Sequence, residues 1–161
     1  MPAGQHRGPP NALSRAVRGG LRGSSDVLVS GRRRPLAEDR VEHIVRTVLG
    51  GENQDAQISI TFLGRDAMRR LNAQYLGMHR PTDVVAFRLP EPDGRLVGDV
   101  YVCPWVAERE ARSRGISLEE ELTRLIIHGA LHVLGYDHPA GSERTASPMW
   151  ERQERYVRSL T

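Results

Sequence analysis

The sequence predicts a single α+β domain, a small mixed sheet of about four strands packed with four to five helices, with a metal site on a central helix. Three observations predict it. Four short stretches rich in Val, Ile and Leu are bounded by turn residues. Longer stretches between and after them repeat apolar residues at helical spacing. One of those, near residue 128, is apolar nearly all round apart from two histidines four residues apart.

Composition narrows the class. The 161 residues suit one domain, and 39% hydrophobic with 27% charged residues is ordinary for a globular chain. No apolar run approaches the roughly 20 residues that span a bilayer, so no membrane partner is expected. The single cysteine, Cys103, excludes an internal disulfide. All 23 basic residues are arginine. That bias favours phosphate recognition in principle and base composition in practice. Arg7, Arg15, Arg18 and Arg22 lie in residues 1–24 with no acidic residue, so the net charge of +3 leaves the remainder near neutral. The body is therefore not a basic nucleic-acid binder by charge alone. Residues 1–24 read as a disordered basic extension, without the period of a transit peptide or the core of a signal peptide. Residues 25–161 form the folded domain.

Asp26–Ser30 reads as a short strand and Pro35–Leu49 as a helix, with Val41, Ile44, Val45 and Val48 on one face and Gly50-Gly51 ending it. Ile58, Ile60 and Phe62 alternate with Ser59 and Thr61, the pattern of a half-buried strand. Asp66 caps a helix to about Tyr75 that encloses Met68, Leu71 and Asn72. Asp83–Leu89 and Leu96–Cys103 are strands flanking the turn at Pro90–Gly94. Pro104 opens a helix to Arg114, closed by Gly115. Ser117 and Glu120 form a capping box for the longest helix, which runs to Leu134 and stops at Gly135. Ser147 and Pro148 start a last amphipathic helix to about Leu160.

The chemistry concentrates in His128-Gly-Ala-Leu-His132-Val-Leu-Gly-Tyr-Asp-His138. His128 and His132 lie one helical turn apart on the same side. Gly135 lets the chain reverse and return His138 to the same point. Three converging imidazoles form the three-ligand face of a catalytic zinc site, open to a water whose pKa such an ion lowers to about 7. Nickel, copper and iron also accept imidazole, so zinc is the preferred ion. Three unrelated core histidines are the plainer alternative, but two on the most apolar turn of a buried helix are hard to satisfy without a metal. The spacing also matches metzincin metalloproteases, which place a glutamate base directly after the first histidine. Here that position is Gly129, and Met149, placed as a Met-turn methionine would be, reads more simply as core.

The signature closely resembles that of the YbeY endoribonucleases, bacterial rRNA maturation factors. Leu71-Asn72, Tyr75, Pro81-Thr-Asp-Val84 with Phe87, and Leu96-Val-Gly-Asp-Val100 before Cys103 support the resemblance from Asp26 to Leu160. It implies one zinc held by His128, His132 and His138. It also implies cleavage of single-stranded RNA, maturation of the 3′ end of small-subunit rRNA, ribosome quality control and a cytoplasmic location with the ribosome as partner. One departure stands out. The family usually carries an arginine after the position of Tyr75, and this sequence has Leu76, which removes a candidate stabiliser of phosphoryl charge. Arg80 is either a substitute reaching the same cleft or a solvated loop residue. Asp83 and Asp137 either orient ligand histidines or cap their own loops. Cys103 reads as a small core residue. A non-catalytic RNA-binding assembly factor is the second reading, and a metzincin-like protease the third.

Overall fold

The computed structural model describes residues 27–90 and 94–161. The extension expected over 1–24, Asp26 and most of the 90–94 turn lie outside the described residues. The elements follow in the order β1 (Val27–Ser30), α1 (Glu38–Gly51), β2 (Ala56–Phe62), α2 (Arg65–Tyr75), β3 (Val84–Pro90), β4 (Leu96–Val102), α3 (Pro104–Arg114), α4 (Leu118–Val133) and α5 (Pro148–Leu160). A 3-10 turn, Gly141–Ala146, precedes α5. The four strands form one mixed sheet in the order β1-β2-β4-β3. β1 and β4 run parallel to β2, and β3 runs antiparallel to β4. The expected fold class is the one observed.

Strand alternation assigns the two faces of the sheet. On one, Ile58, Ile60, Val100 and Val102 pack with Val41, Ile44 and Val45 of α1, Ile126, Ala130 and Val133 of α4, and Met149 and Val157 of α5. On the other, Val85, Phe87, Tyr101 and Cys103 cover Met68 of α2. Cys103 is thus the core residue its sequence context suggested. The second cover corrects one expectation. Ser59 was expected to face solvent in a half-buried strand, yet it is only 2% exposed. Its hydroxyl donates to Asp99 Oδ1 at 2.7 Å, and that pairing lets both polar groups be buried between strands.

The helix starts differ from expectation for local reasons. α1 begins at Glu38 rather than Pro35 and takes Gly50 and Gly51 into its last turn, the reversal falling at Asn53 (φ 51°). α2 starts at Arg65 behind Gly64, so Asp66 lies in the first turn rather than at the cap, its carboxylate still favoured by the positive helix end. Ser117 caps α4 as expected, its Oγ accepting from Glu120 N at 3.1 Å. Glu120 itself turns away to Arg124 (3.1 Å) instead of closing the box.

α4 is the axis of the molecule, buried continuously from Glu121 to Leu131. Its charged half survives burial because Arg124 pairs with Glu154 (2.7 Å), Glu120 and Glu121. Its second half lies directly on β4. A Cβ on Gly129 would collide with Val100, and a Cβ on Gly98 would collide with Val133. These two glycines permit a reciprocal close approach of helix and strand.

Candidate metal centre

The last two turns of α4 and the segment that follows build the site. Gly135 adopts φ 101°, a conformation open to glycine, and the chain doubles back over the end of the helix. His128, His132 and His138 are brought together as their spacing predicts. Ring centroids lie 4.6 Å apart for His128–His132, 5.0 Å for His128–His138 and 5.1 Å for His132–His138. Each offers a ligand nitrogen within 4.8 Å of the other two.

The hydrogen bonds around the rings fix which nitrogens face inward. His128 Nδ1 meets Gln153 Oε1 at 2.6 Å, His132 Nδ1 meets the Tyr136 carbonyl at 2.9 Å, and His138 Nδ1 meets the Pro139 carbonyl at 2.8 Å. Gln153 is oriented by its own amide, which donates to Glu154 Oε1 at 3.2 Å, and Glu154 is held in turn by Arg124. All three acceptors are oxygens, so each Nδ1 carries the ring proton and each Nε2 is left as a bare lone pair. Nε2 of His128 and His132 approach to 3.0 Å. Two lone pairs that close repel unless a cation lies between them, and the spacing is near the roughly 3.3 Å edge of a tetrahedron with zinc–nitrogen arms of 2.0–2.1 Å. Burial, together with the neighbouring His132 and Arg144, lowers the His128 pKa to about 3. Burial and His138 lower that of His132 as well. Both rings are therefore neutral near pH 7, the form that binds a metal. The donor set fits a zinc-type ion.

The surroundings hold this geometry. Tyr136 OH donates to Glu52 Oε2 (2.6 Å), and Tyr156 OH (2.6 Å) and Arg152 Nη1 (3.0 Å) converge on Glu52 Oε1. Burial pushes the Glu52 carboxyl up, but these donors leave it below its usual value, an anion tying the end of α1 to α5 and to the reversal carrying His138. Asn72, fully buried on α2, donates to the Arg80 carbonyl (2.8 Å) and Thr82 Oγ1 (3.0 Å), fastening the loop that leads into β3.

The aspartates cap their own loops. Asp83 Oδ1 accepts from Val84 N at 2.8 Å, and Asp137 Oδ1 accepts from His138 N at 2.9 Å. The side chain that orients His128 is Gln153, which sequence reasoning passed over. Its signal was a glutamine on the apolar stripe Met149–Gln153–Val157. Arg80 and Leu76 both lie exposed in the loop after α2. Arg144 was also passed over. It stands on the 3-10 turn that follows His138, and its positive charge adds to the lowering of the His128 and His132 pKa values and counters the burial that raises that of Asp83.

Residues 30–161 match the family model described as Endoribonuclease YbeY. The chain is similar to the endoribonuclease YbeY of Thermotoga maritima, 36% identical over 123 residues that cover 76% of this chain and 77% of the relative. It is similar to that of Aquifex aeolicus, 38% identical over 138 residues covering 83% and 89%. Among solved structures, a Thermotoga maritima protein determined in solution superimposes with TM-score 0.58 at 33% identity, covering 83% of this chain and 88% of that one.

Proposed function

Because the chain belongs to the endoribonuclease YbeY family, we propose that it is a zinc-dependent endoribonuclease specific for single-stranded RNA. On this reading it matures the 3′ end of small-subunit rRNA and serves ribosome quality control, in the cytoplasm with the small subunit as partner. Among the described residues no helix is long and apolar enough to cross a membrane. The observation that carries the reading is the convergence of three imidazoles whose Nδ1 atoms are all occupied by oxygens, leaving three Nε2 lone pairs for one ion.

His128, His132 and His138 hold the ion. When bound, the zinc supplies Lewis-acid chemistry, polarising a phosphoryl oxygen and acidifying water. Gln153 and the carbonyls of Tyr136 and Pro139 keep the rings aimed. Arg80, exposed at the loop, meets a backbone phosphate away from the reacting bond.

The test uses the full chain loaded with one equivalent of zinc. A single-stranded RNA carrying the 3′ end of small-subunit rRNA should be cut, and its duplex form spared. Chelation should stop cleavage and added zinc restore it. RNA left intact by the zinc-restored protein, or duplex cut as fast as the single strand, would refute the reading.

Two further results are expected. Gln153→Leu keeps the volume but strands the His128 Nδ1 proton, so zinc affinity in a chelator competition should fall about 10–100-fold. Arg80→Gln should raise KM several-fold with kcat unchanged, and lower the slope of log affinity against log salt by about 0.7. An unchanged slope would remove Arg80 from the RNA path.

A further inference from the structure

We propose that Arg144 is the phosphate clamp of this site, donating its guanidinium fork to the non-bridging oxygens of the phosphodiester held beside the three histidines. The inference rests on the nuclease reading above and adds a residue to it.

The 3-10 turn carrying Arg144 begins at Gly141, three residues after His138. Its backbone is locked to the start of α5, because the Arg144 carbonyl accepts from Ser147 N at 3.2 Å and from Ser147 Oγ at 2.7 Å. Its guanidinium lies over the Trp150 ring, Cζ 5.9 Å from the centroid. Trp150 is one helical turn before Gln153, the residue that orients His128. Arg144 and His128 are thus fastened to the same stretch of α5, and the cation is placed by the elements that place the ligands.

The side chain is also left waiting for an anion. Arg144 is half-buried, and its Nε is shielded from solvent with no hydrogen-bond partner among the described residues. No carboxylate there lies within ion-pair distance of it. Asp83 forms no ion pair with it, although the positive charge of Arg144 partly offsets the burial that raises the Asp83 carboxyl. A shielded N–H left without an acceptor is costly, and a bound anion would complete it. The planar fork suits a tetrahedral phosphate, to which it donates two parallel hydrogen bonds. In hydrolysis water adds to phosphorus, the bond to the leaving ribose oxygen breaks, and the proton released by water ends on that oxygen. Arg144 keeps its protons throughout and stabilises the charge that builds on the non-bridging oxygens.

The experiment compares zinc-loaded wild type, Arg144→Gln and a control, Arg112→Gln, on an exposed helix face. Zinc content should be equal in all three. Arg144→Gln should lower kcat about 10²–10³-fold, the cost of one lost oxyanion donor. Inhibition by inorganic phosphate should weaken at least about tenfold. The control should match wild type. Arg144→Gln that cuts RNA at the wild-type rate and binds phosphate equally well overturns the proposal. If wild type does not cut RNA, the nuclease reading fails, and phosphate titration still judges Arg144 by itself. If Arg144→Gln does not fold, phenylglyoxal modification of wild type decides the matter by peptide mapping. Protection of Arg144 by phosphate supports the clamp, and equal modification with and without phosphate overturns it.

Discussion

Replacing His132 by alanine is expected to abolish metal-dependent RNA cleavage while leaving the fold in place. The two halves of that expectation have different physical origins. His132 lies on the last turn of α4 and is only half-buried, so truncation opens no sealed cavity and water can take the place of its ring at the Tyr136 carbonyl. Alanine is also the better helix former. Chelated wild type and His132→Ala should therefore unfold within a few degrees of each other. The site has no such tolerance. Two remaining imidazoles make a weak zinc site, and cleavage should fall by roughly three orders of magnitude or more as the ion is lost. Zinc should raise the thermal midpoint of wild type, since it binds the folded state alone, and should leave that of His132→Ala unmoved. Equal cleavage by both proteins would detach the activity from the histidines and return the chain to the RNA-binding reading.

The convergence of His128, His132 and His138 was legible because local geometry determines it. A four-residue spacing stacks His128 over His132 on any helix, and Gly135 is the residue that allows the reversal bringing His138 back. The groups that tune the site were not legible. Gln153 is 25 residues from His128, and its contact depends on how α5 crosses α4. Arg144 had no periodic pattern to mark it, because a 3-10 turn after a glycine leaves none in the sequence. The burial of Ser59 depended on its cross-strand partner Asp99, 40 residues on, and alternation alone could not disclose that. The elements themselves were read nearly to their ends. The boundary errors fell at helix starts, where caps such as Gly64 and Ala37 offer no side-chain bond to recognise, and at the end of α1, which runs on through Gly50 and Gly51.

Gly129→Ala should lower the stability of the chain, and Gly129→Glu should prevent folding. In a solvated helix glycine to alanine gains up to about 1 kcal/mol. Here the added methyl points into Val100 of β4, and overpacking a fitted core costs about 1–3 kcal/mol. Urea denaturation should show the net loss for alanine. A glutamate would add a buried carboxylate with no room to pair. This contact also disposes of the protease reading. Residue 129 is where a metzincin carries its general base, and in this chain that position faces the sheet while His128 and His132 face the site. A glutamate there would be directed into the core, so Gly129→Glu should cleave no peptide even in whatever fraction folds. The cause can be isolated with Val100→Ala, which removes the colliding methyls. Combined with Gly129→Ala it should cost less than the sum of the two single changes, because the alanine methyl then fills the space the valine leaves. Strictly additive losses would mean that the helix–strand approach at Gly129 is not what requires glycine there.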